Sequence, residues 1–252
     1  MLNVHRREHI LDGISKHNRV SVVDIADKFD VSGETIRRDL KDLEKEGLLR
    51  RVRGGAIGPA GIRDEPINER VQKAAKEKGI IAQLAAELIS DHTSIFLHIG
   101  STTEALARQL GQFTDLKVYT NSLNIAQIAK DFSGVTVHVA PGQVRPVESD
   151  LVGYDTISYI EGYLFDTAFM SVAGIDLEHG FMDFEEDEVR VRQAVIKSAR
   201  NSVVMADSSK FGKTANIYTA PFDAIDRFVT DRKPDTAFLS KFNHAGTEVI
   251  HG

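Results

Sequence analysis

Two short amphipathic helices, a tight turn and a third helix with a cationic polar face open the chain. A basic hairpin follows, and then a long alternation of apolar strand candidates with amphipathic stretches. Together these predict an α/β protein in two parts: an N-terminal winged helix-turn-helix domain and a larger C-terminal α/β domain on a largely parallel sheet. At 252 residues the chain is long enough for two cores. The stretch Gly58-Pro59-Ala60-Gly61 resists regular structure, which places the first domain at 1–58, a linker at 59–66 and the second domain at 67–252.

In the first domain, Ile10, Leu11 and Ile14 recur at three- and four-residue spacing, as do Val22, Ile25, Ala26 and Phe29. Ser21, with Asp24 three residues on, is a capping-box pattern for the second helix. Asp30-Val31-Ser32-Gly33 is a tight turn in which Ser32 is placed to cap the third. That helix gathers Ile36, Leu40 and Leu43 on one face and leaves Gly33, Thr35, Arg37, Arg38 and Lys41 on the others. A helix so placed enters the DNA major groove, and the planar fork of Arg bonds guanine edges or phosphates bidentately. Arg37 and Arg38 have a second reading, as partners of Glu34, Asp39 or Asp42 along the helix, and both roles can coexist. Beyond Gly47, the run Leu48 to Arg53 reads as a strand, Gly54-Gly55 as a turn needing positive φ, and Ala56-Ile57 as a returning strand. This is a wing that lays Arg50, Arg51 and Arg53 along the phosphate backbone.

Charge is uneven. The net charge of −6 argues against indiscriminate coating of nucleic acid. Residues 1–58 carry 12 Lys+Arg against 10 Asp+Glu, or +2, which leaves 19 against 27, or −8, for the rest. The absence of Cys removes disulfides, thiolate metal sites and cysteine nucleophiles. The N-terminus lacks the apolar core of a signal peptide, and the apolar-rich stretch Ile80 to Ile89 is too short for a bilayer and contains Gln83 and Glu87. A cytoplasmic protein with no membrane partner is the expectation.

In the second domain the pattern is helical from Ile67 to Ile89. Strand candidates follow at Ser94–Ile99, Leu116–Thr120, Val135–Ala140, Ala168–Ala173, Ser202–Ala206 and Arg227–Thr230. Amphipathic stretches lie between several of them, at Thr103–Leu110, Leu123–Asp131 and Glu188–Arg200. Sites in such sheets form beyond the carboxyl ends of the strands. There, Gly100, Ser101, Thr102 and Thr103 combine a glycine turn and three hydroxyls with a helix start, which favours a phosphate ester; alternatively, Ser101 or Thr102 simply caps the helix. Asn121 and Ser122 offer polar groups of the kind that orient a sugar or polyol. Arg145, Asp176 and Lys210 also follow predicted strands, and Lys210 is either a second phosphate charge or the ion partner of Asp207.

The chain resembles the DeoR-type bacterial transcriptional regulators. The resemblance rests on Arg6, Ile10 and Ile14, then on Ser32-Gly33-Glu34-Thr35-Ile36-Arg37-Arg38-Asp39-Leu40, and then on Arg53-Gly54-Gly55-Ala56. It extends through Ile99 to Thr103, Thr120-Asn121, Asp166 to Asp176, and Asp207-Ser208-Ser209-Lys210-Phe211-Gly212. Phe184 to Arg190 with Ala194-Val195-Ile196 is similar to the glycerol-3-phosphate branch of the family. Arg53 stands where the family usually has His, and Ala140-Pro141-Gly142 where it commonly has Gly-Gly. The resemblance implies an effector domain like ribose-5-phosphate isomerase, a phosphorylated sugar or polyol as effector, double-stranded operator DNA as partner, repression as the usual outcome, and a homo-oligomer, dimer or tetramer.

An isomerase-like enzyme with a fused DNA-binding module is the alternative, since that fold supports proton transfer by paired acids and a lysine. Asp176 and Glu188 are candidate acids, yet residues 177–187 hold no Lys or Arg where the lysine is expected. No catalytic residue, metal ligand set or cofactor is therefore assigned. His5 and His9 have zinc-like spacing without a third ligand, and the acidic run Asp183 to Glu188 reads as solvated surface.

Overall fold

A computed structural model describes residues 2–17, 19–46, 48–52, 54–57 and 67–252, with the side chains of 2–4, 15–17, 19 and 57 left aside. The expected linker, 59–66, and the wing residue Arg53 lie outside the described residues. The chain divides into two compact units, Met1–Arg63 and Asp64–Gly252.

The first unit runs α1 (Leu2–His17), β1 (Arg19–Ser21), α2 (Val22–Phe29), α3 (Gly33–Lys45), β2 (Arg50–Val52) and β3 (Gly55–Ile57). Ser21 caps α2 by accepting from the amides of Val23 and Asp24, and Ser32 caps α3 by accepting from Thr35. Ile36, Leu40 and Leu43 are buried with Ile10, Ile14, Val22 and Ile25, the face that the spacing predicts. Burial of each such side chain is worth roughly 1.5–3 kcal/mol, so this stripe rather than propensity holds so small a unit together. Strand β1 is an addition to the expected hairpin, giving an antiparallel sheet of order β1-β3-β2. The two glycines of the turn serve different ends. Gly54 has a φ of 84°, whereas at Gly55 a Cβ would come within 1.9 Å of the Val20 carbonyl oxygen. Close approach to β1, not positive φ, therefore requires the second glycine.

The second unit begins with α4 (Ile67–Gln72), α5 (Ala75–Ala86), β4 (Ser94–Leu97), α6 (Ser101–Ala107), β5 (Leu116–Thr120), α7 (Leu123–Ala129) and β6 (Val135–Val139). It continues with β7 (Gln143–Arg145), β8 (Asp150–Val152), α8 (Tyr154–Glu161), β9 (Thr167–Met170), β10 (Gly174–Asp176), β11 (Gly180–Asp183) and α9 (Glu186–Lys197). It closes with β12 (Ser202–Met205), β13 (Ile217–Ala220), β14 (Arg227–Thr230), α10 (Thr236–Ala245) and β15 (Glu248–His251). The single helix expected over 67–89 is two, because Ala74 adopts the left-handed conformation at φ 51°. Seven strands form a sheet of order β15-β14-β12-β9-β4-β5-β6, and each neighbouring pair is parallel.

Side-chain alternation feeds a core on each face. Phe96 and Val204 point into one cluster, while Ile95, Leu97, Val203 and Met205 point into the other. Strand order reverses between β4 and β9, which makes the crevice beyond Leu97 and Met170 the topological switch point. Here a Cβ on Gly100 would come within 2.0 Å of Ser171 Oγ, so only glycine lets the β4–α6 turn lie against the end of β9. Two antiparallel additions, the sheet β10-β11-β13 and the ribbon β7-β8, flank this region in sequence. Among the described residues no helix is long and apolar enough to cross a membrane.

Candidate functional site

The first unit presents its cations from α3 and the hairpin. Arg37, Arg38, Lys41, Arg50 and Arg51 are exposed, while Gly33 and Thr35 are half-buried at the capped start of α3. Ser32 Oγ lies 3.0 Å from Thr35 Oγ1, so both hydroxyls take part in the cap. Arg37 pairs with Glu34 at 3.1 Å across exposed surface, which leaves the pair weak and exchangeable. Arg38, Lys41 and Arg50 make no ion pair among the described residues. Asp39, considered from the sequence as a partner for Arg37 or Arg38, is instead buried and binds Arg6 of α1. Arg7 pairs with Glu46 at 2.5 Å, so the Arg6-Arg7 doublet fastens α1 to α3.

Arg51 is less free than a phosphate clamp requires. Its Nε donates to Glu44 Oε2 at 2.7 Å and its backbone amide to Glu44 Oε1 at 2.8 Å, tying the hairpin to α3. Bonds from the Arg51 backbone and then its side chain hold the Glu44 carboxyl below the usual carboxylate range. His9 packs against Phe29 with ring centroids 5.4 Å apart, and among the described residues no group of three or more His, Asp or Glu is placed to hold a metal ion.

At the switch point of the second unit, no side chain caps α6. Thr103 Oγ1 donates to the Gly100 carbonyl at 2.7 Å, leaving the hydroxyls of Ser101 and Thr102 without a protein partner at the head of the helix. Asn121 and Ser122 are fully buried and already committed. Asn121 accepts from Ile99 N at 3.1 Å and donates to Leu151 O at 3.2 Å, while Ser122 caps α7 through Ile125 N. Asn121 thus ties the end of β4 to β8, and Ser122 fixes the start of α7 beside it.

Asp176 likewise holds a hairpin. Its Oδ1 accepts from the amides of Glu178 and His179 and from His179 Nδ1. Burial opposes its charge, but the bonds from His179 and Glu178 prevail and lower its pKa. Asp207 caps the 3-10 turn Ser208–Lys210 through Ser209 N, and among the described residues Lys210 forms no ion pair with Asp207 or any other carboxylate.

Arg145 sits in a network that its sequence position does not reveal. It donates bidentately to Asp150 at 2.8 and 2.7 Å and reaches Glu188 of α9 at 2.5 Å. Glu188 is also 3.6 Å from Arg192, and Arg192 is 2.8 Å from Asp183. Arg192 is only 1% exposed and Asp150 0%, which makes this a buried cluster in which each charge depends on its neighbours. Burial, then Asp183, push the Glu188 carboxyl up to about 7 against the pull of Arg145 and Arg192. Asp183 and Glu188 thus face buried arginines, correcting the reading of the acidic run as wholly solvated surface.

His98, at the end of β4, is fully buried, and burial and Arg192 push its pKa well down, keeping the ring neutral. Its Nδ1 lies 3.1 Å from the Ile99 carbonyl, while the buried Nε2 makes no hydrogen bond to the described residues. Arg192 Nε is a second buried polar atom without one. Neither residue stands out in the sequence. A lone His in an apolar strand and one Arg among several on α9 carry no signal until the fold brings them together.

An exposed cationic α3 in a winged unit, joined in one chain to a parallel sheet with a polar cluster at its switch point, defines a two-domain DNA-binding transcriptional regulator. Residues 6–59 match the DeoR-like helix-turn-helix domain and residues 73–232 the DeoR C-terminal sensor domain. The chain belongs to the DeoR family of transcriptional regulators. It is 30% identical to the glycerol-3-phosphate regulon repressor of Escherichia coli K12, over 95% of each chain. It is 33% identical to the transcriptional repressor GlcR of Bacillus subtilis 168, over 99% of this chain and 96% of that one. Among solved structures, ribose 5-phosphate isomerase A of Methanocaldococcus jannaschii is similar at a TM-score of 0.39 and 19% identity, over 57% of this chain and 55% of that one.

Proposed function

We propose that this regulator represses an operon for sugar or glycerol-phosphate catabolism and that a phosphorylated sugar or polyol, bound at the switch point of the sensor domain, changes its affinity for operator DNA. On this reading Ser32, Gly33, Thr35, Arg37, Arg38, Lys41, Arg50, Arg51 and Arg53 form the DNA-reading surface. Arg38, Lys41 and Arg50 carry most of the attraction, since they alone of the described cations in that set lack an ion partner.

The observation that carries the effector reading is the polar composition of the β4 end. An uncapped turn at Gly100 to Thr103, with two unpaired hydroxyls, suits a phosphate, and the buried His98 Nε2, which lacks a hydrogen bond, suits a sugar or polyol hydroxyl. Arg145 and Lys210 supply positive charge, while Asn121, Ser122 and Asp176 hold the surrounding backbone. Two relatives named as repressors, one of them for a glycerol-3-phosphate regulon, support both the sense of regulation and the phosphate ester. The protein acts in the cytoplasm as a homo-oligomer, dimer or tetramer, because helix-turn-helix proteins read paired half-sites about one helical turn apart. It binds its effector without transforming it.

A thermal-shift screen against glycerol 3-phosphate, sugar phosphates and their unphosphorylated counterparts tests this. A ligand that binds the native state raises apparent stability by mass action, about 2.7 kcal/mol at a hundredfold excess over Kd. Stabilisation by a phosphate ester and not by its parent alcohol is the expected result. Equal response to both, or turnover of the ester, sinks the reading.

A further inference from the structure

The ribbon β7-β8 pairs Gln143 with Val152, Val144 with Leu151 and Arg145 with Asp150, so residues 146–149 form its turn. The side chains on either side of this turn reach different parts of the domain. Arg145 enters the buried cluster of Asp150 and Glu188 at the sensor site. Glu148, three residues on, binds Arg70 of α4 in a pair whose two side chains are 12% and 13% exposed. Helix α4 is the first described element after residues 58–66, the stretch through which the chain leads from the DNA-binding unit into the sensor domain. Its own end is fixed as well, because the buried Lys78 of α5 donates to the carbonyls of Arg70 and Lys73.

The turn is braced by backbone hydrogen bonds at both of its ends. Ser149 adopts a left-handed φ of 55°, a conformation an L-residue keeps only when its surroundings impose it. Its amide donates to the Arg145 carbonyl at 2.8 Å and its carbonyl accepts from Leu123 N, at the start of α7, at 2.9 Å. The backbone of Arg145 is thus tied directly to the four-residue turn that carries Glu148.

We infer that the turn 146–149 is the coupling element of the regulator: an effector oxyanion that draws Arg145 from Asp150 and Glu188 shifts the turn and frees Arg70 from Glu148. Arg70 and Glu148 are positioning residues in this scheme and do not touch effector or DNA. The inference rests on the proposed binding of a phosphate ester at the switch point, and its energetic requirement is ordinary. The ester must prefer the arrangement with Arg145 released, and a preference that changes operator affinity by about 5- to 150-fold is the usual size of such coupling.

The test uses the full-length protein, a duplex from the promoter region beside its gene, and glycerol 3-phosphate with a panel of sugar phosphates as probes. With no phosphate ester present, Glu148→Gln and Arg70→Gln are each expected to lower operator affinity toward the effector-released level, by about 5- to 150-fold. Their thermal stabilisation by the ester should be retained, and the ester should produce little further release. The charge-exchanged double variant Arg70→Glu/Glu148→Arg is expected to regain both operator affinity and response, which a general loss of packing would not allow. Variants that bind operator as the wild type does and still release it on adding ester overturn the coupling role and leave the proposed function standing. A wild type that no phosphate ester stabilises, with both variants still weakened on the duplex, overturns the effector reading and leaves the Arg70–Glu148 link to operator affinity in place.

Discussion

The two units hold their cations in opposite ways. In the DNA-binding unit, Arg38, Lys41 and Arg50 stand in solvent and, among the described residues, Arg37 is joined to the exposed Glu34. In the sensor unit, Arg145 and Arg192 are enclosed among Asp150, Asp183 and Glu188. Exposed charges contribute about 0–1 kcal/mol to stability and remain available to a polyanion. Buried charges are bound to partners whose removal is costly, so a ligand gains access to them only by competition. The first arrangement suits reversible contact with DNA, the second a switch with two states. Among the described residues of the DNA-binding unit, the buried Arg6–Asp39 pair, which joins α1 to α3, is an exception.

Arg145→Ala separates the two regimes most strongly. It leaves Asp150 and Glu188 buried without their cation, and the expected loss is about 3–5 kcal/mol for the sensor unit, read as a lowered urea midpoint. A loss under 1 kcal/mol would place the cluster in effective contact with water. Next comes pH. Glu188 has a folded pKa of about 7 against an ordinary value of 4.5, so between these limits the folded state holds a proton that the unfolded state has released. Its contribution to stability is therefore full below about pH 4.5 and declines as pH rises to 7, by up to roughly 3 kcal/mol. Glu188→Gln, which stays neutral, should flatten that part of the stability profile; an unchanged slope removes Glu188 as its source.

On the exposed side, Arg38→Ala or Lys41→Ala should weaken operator binding by about 1–3 kcal/mol if the contact is to a base, with stability altered by no more than about 0.5 kcal/mol. Anisotropy titrations and melts on the same samples check both halves. Arg51→Ala is expected to have the smallest effect. It should lower affinity for all sequences alike and reduce the salt slope by roughly 1, tempered by the existing bond to Glu44. A change in sequence preference would move Arg51 from the backbone to a base.

Local signals were legible in the sequence where one element carries them. The Ile36–Leu40–Leu43 stripe, the Ser21 and Ser32 caps and the strand Leu116–Thr120 are complete within a few residues, and each lies where the pattern puts it. Strand β15 is not legible in the sequence because Glu248–His251 is a short edge strand with exposed ends. Strand β1, with three residues, is too brief to display alternation. The turn at Gly100 was also readable, as a glycine followed by hydroxyls after an apolar strand. The pairing around Arg145 was not, because Arg145 and Glu188 are 43 positions apart and only the packing of α9 on the ribbon joins them. For the same reason the bonds of Asn121 to Ile99 and Leu151 are not visible in the sequence, whereas the cap of Ser122 on α7 is local.

The decisive measurement is operator affinity of the purified protein at one fixed salt concentration, titrated with phosphorylated sugars and polyols and with the same compounds lacking the phosphate. The account predicts that at least one phosphate ester shifts affinity by about 5- to 150-fold while remaining chemically intact and that its parent alcohol does nothing. Affinity that ignores every ester, or an ester that is consumed during the titration, would contradict it.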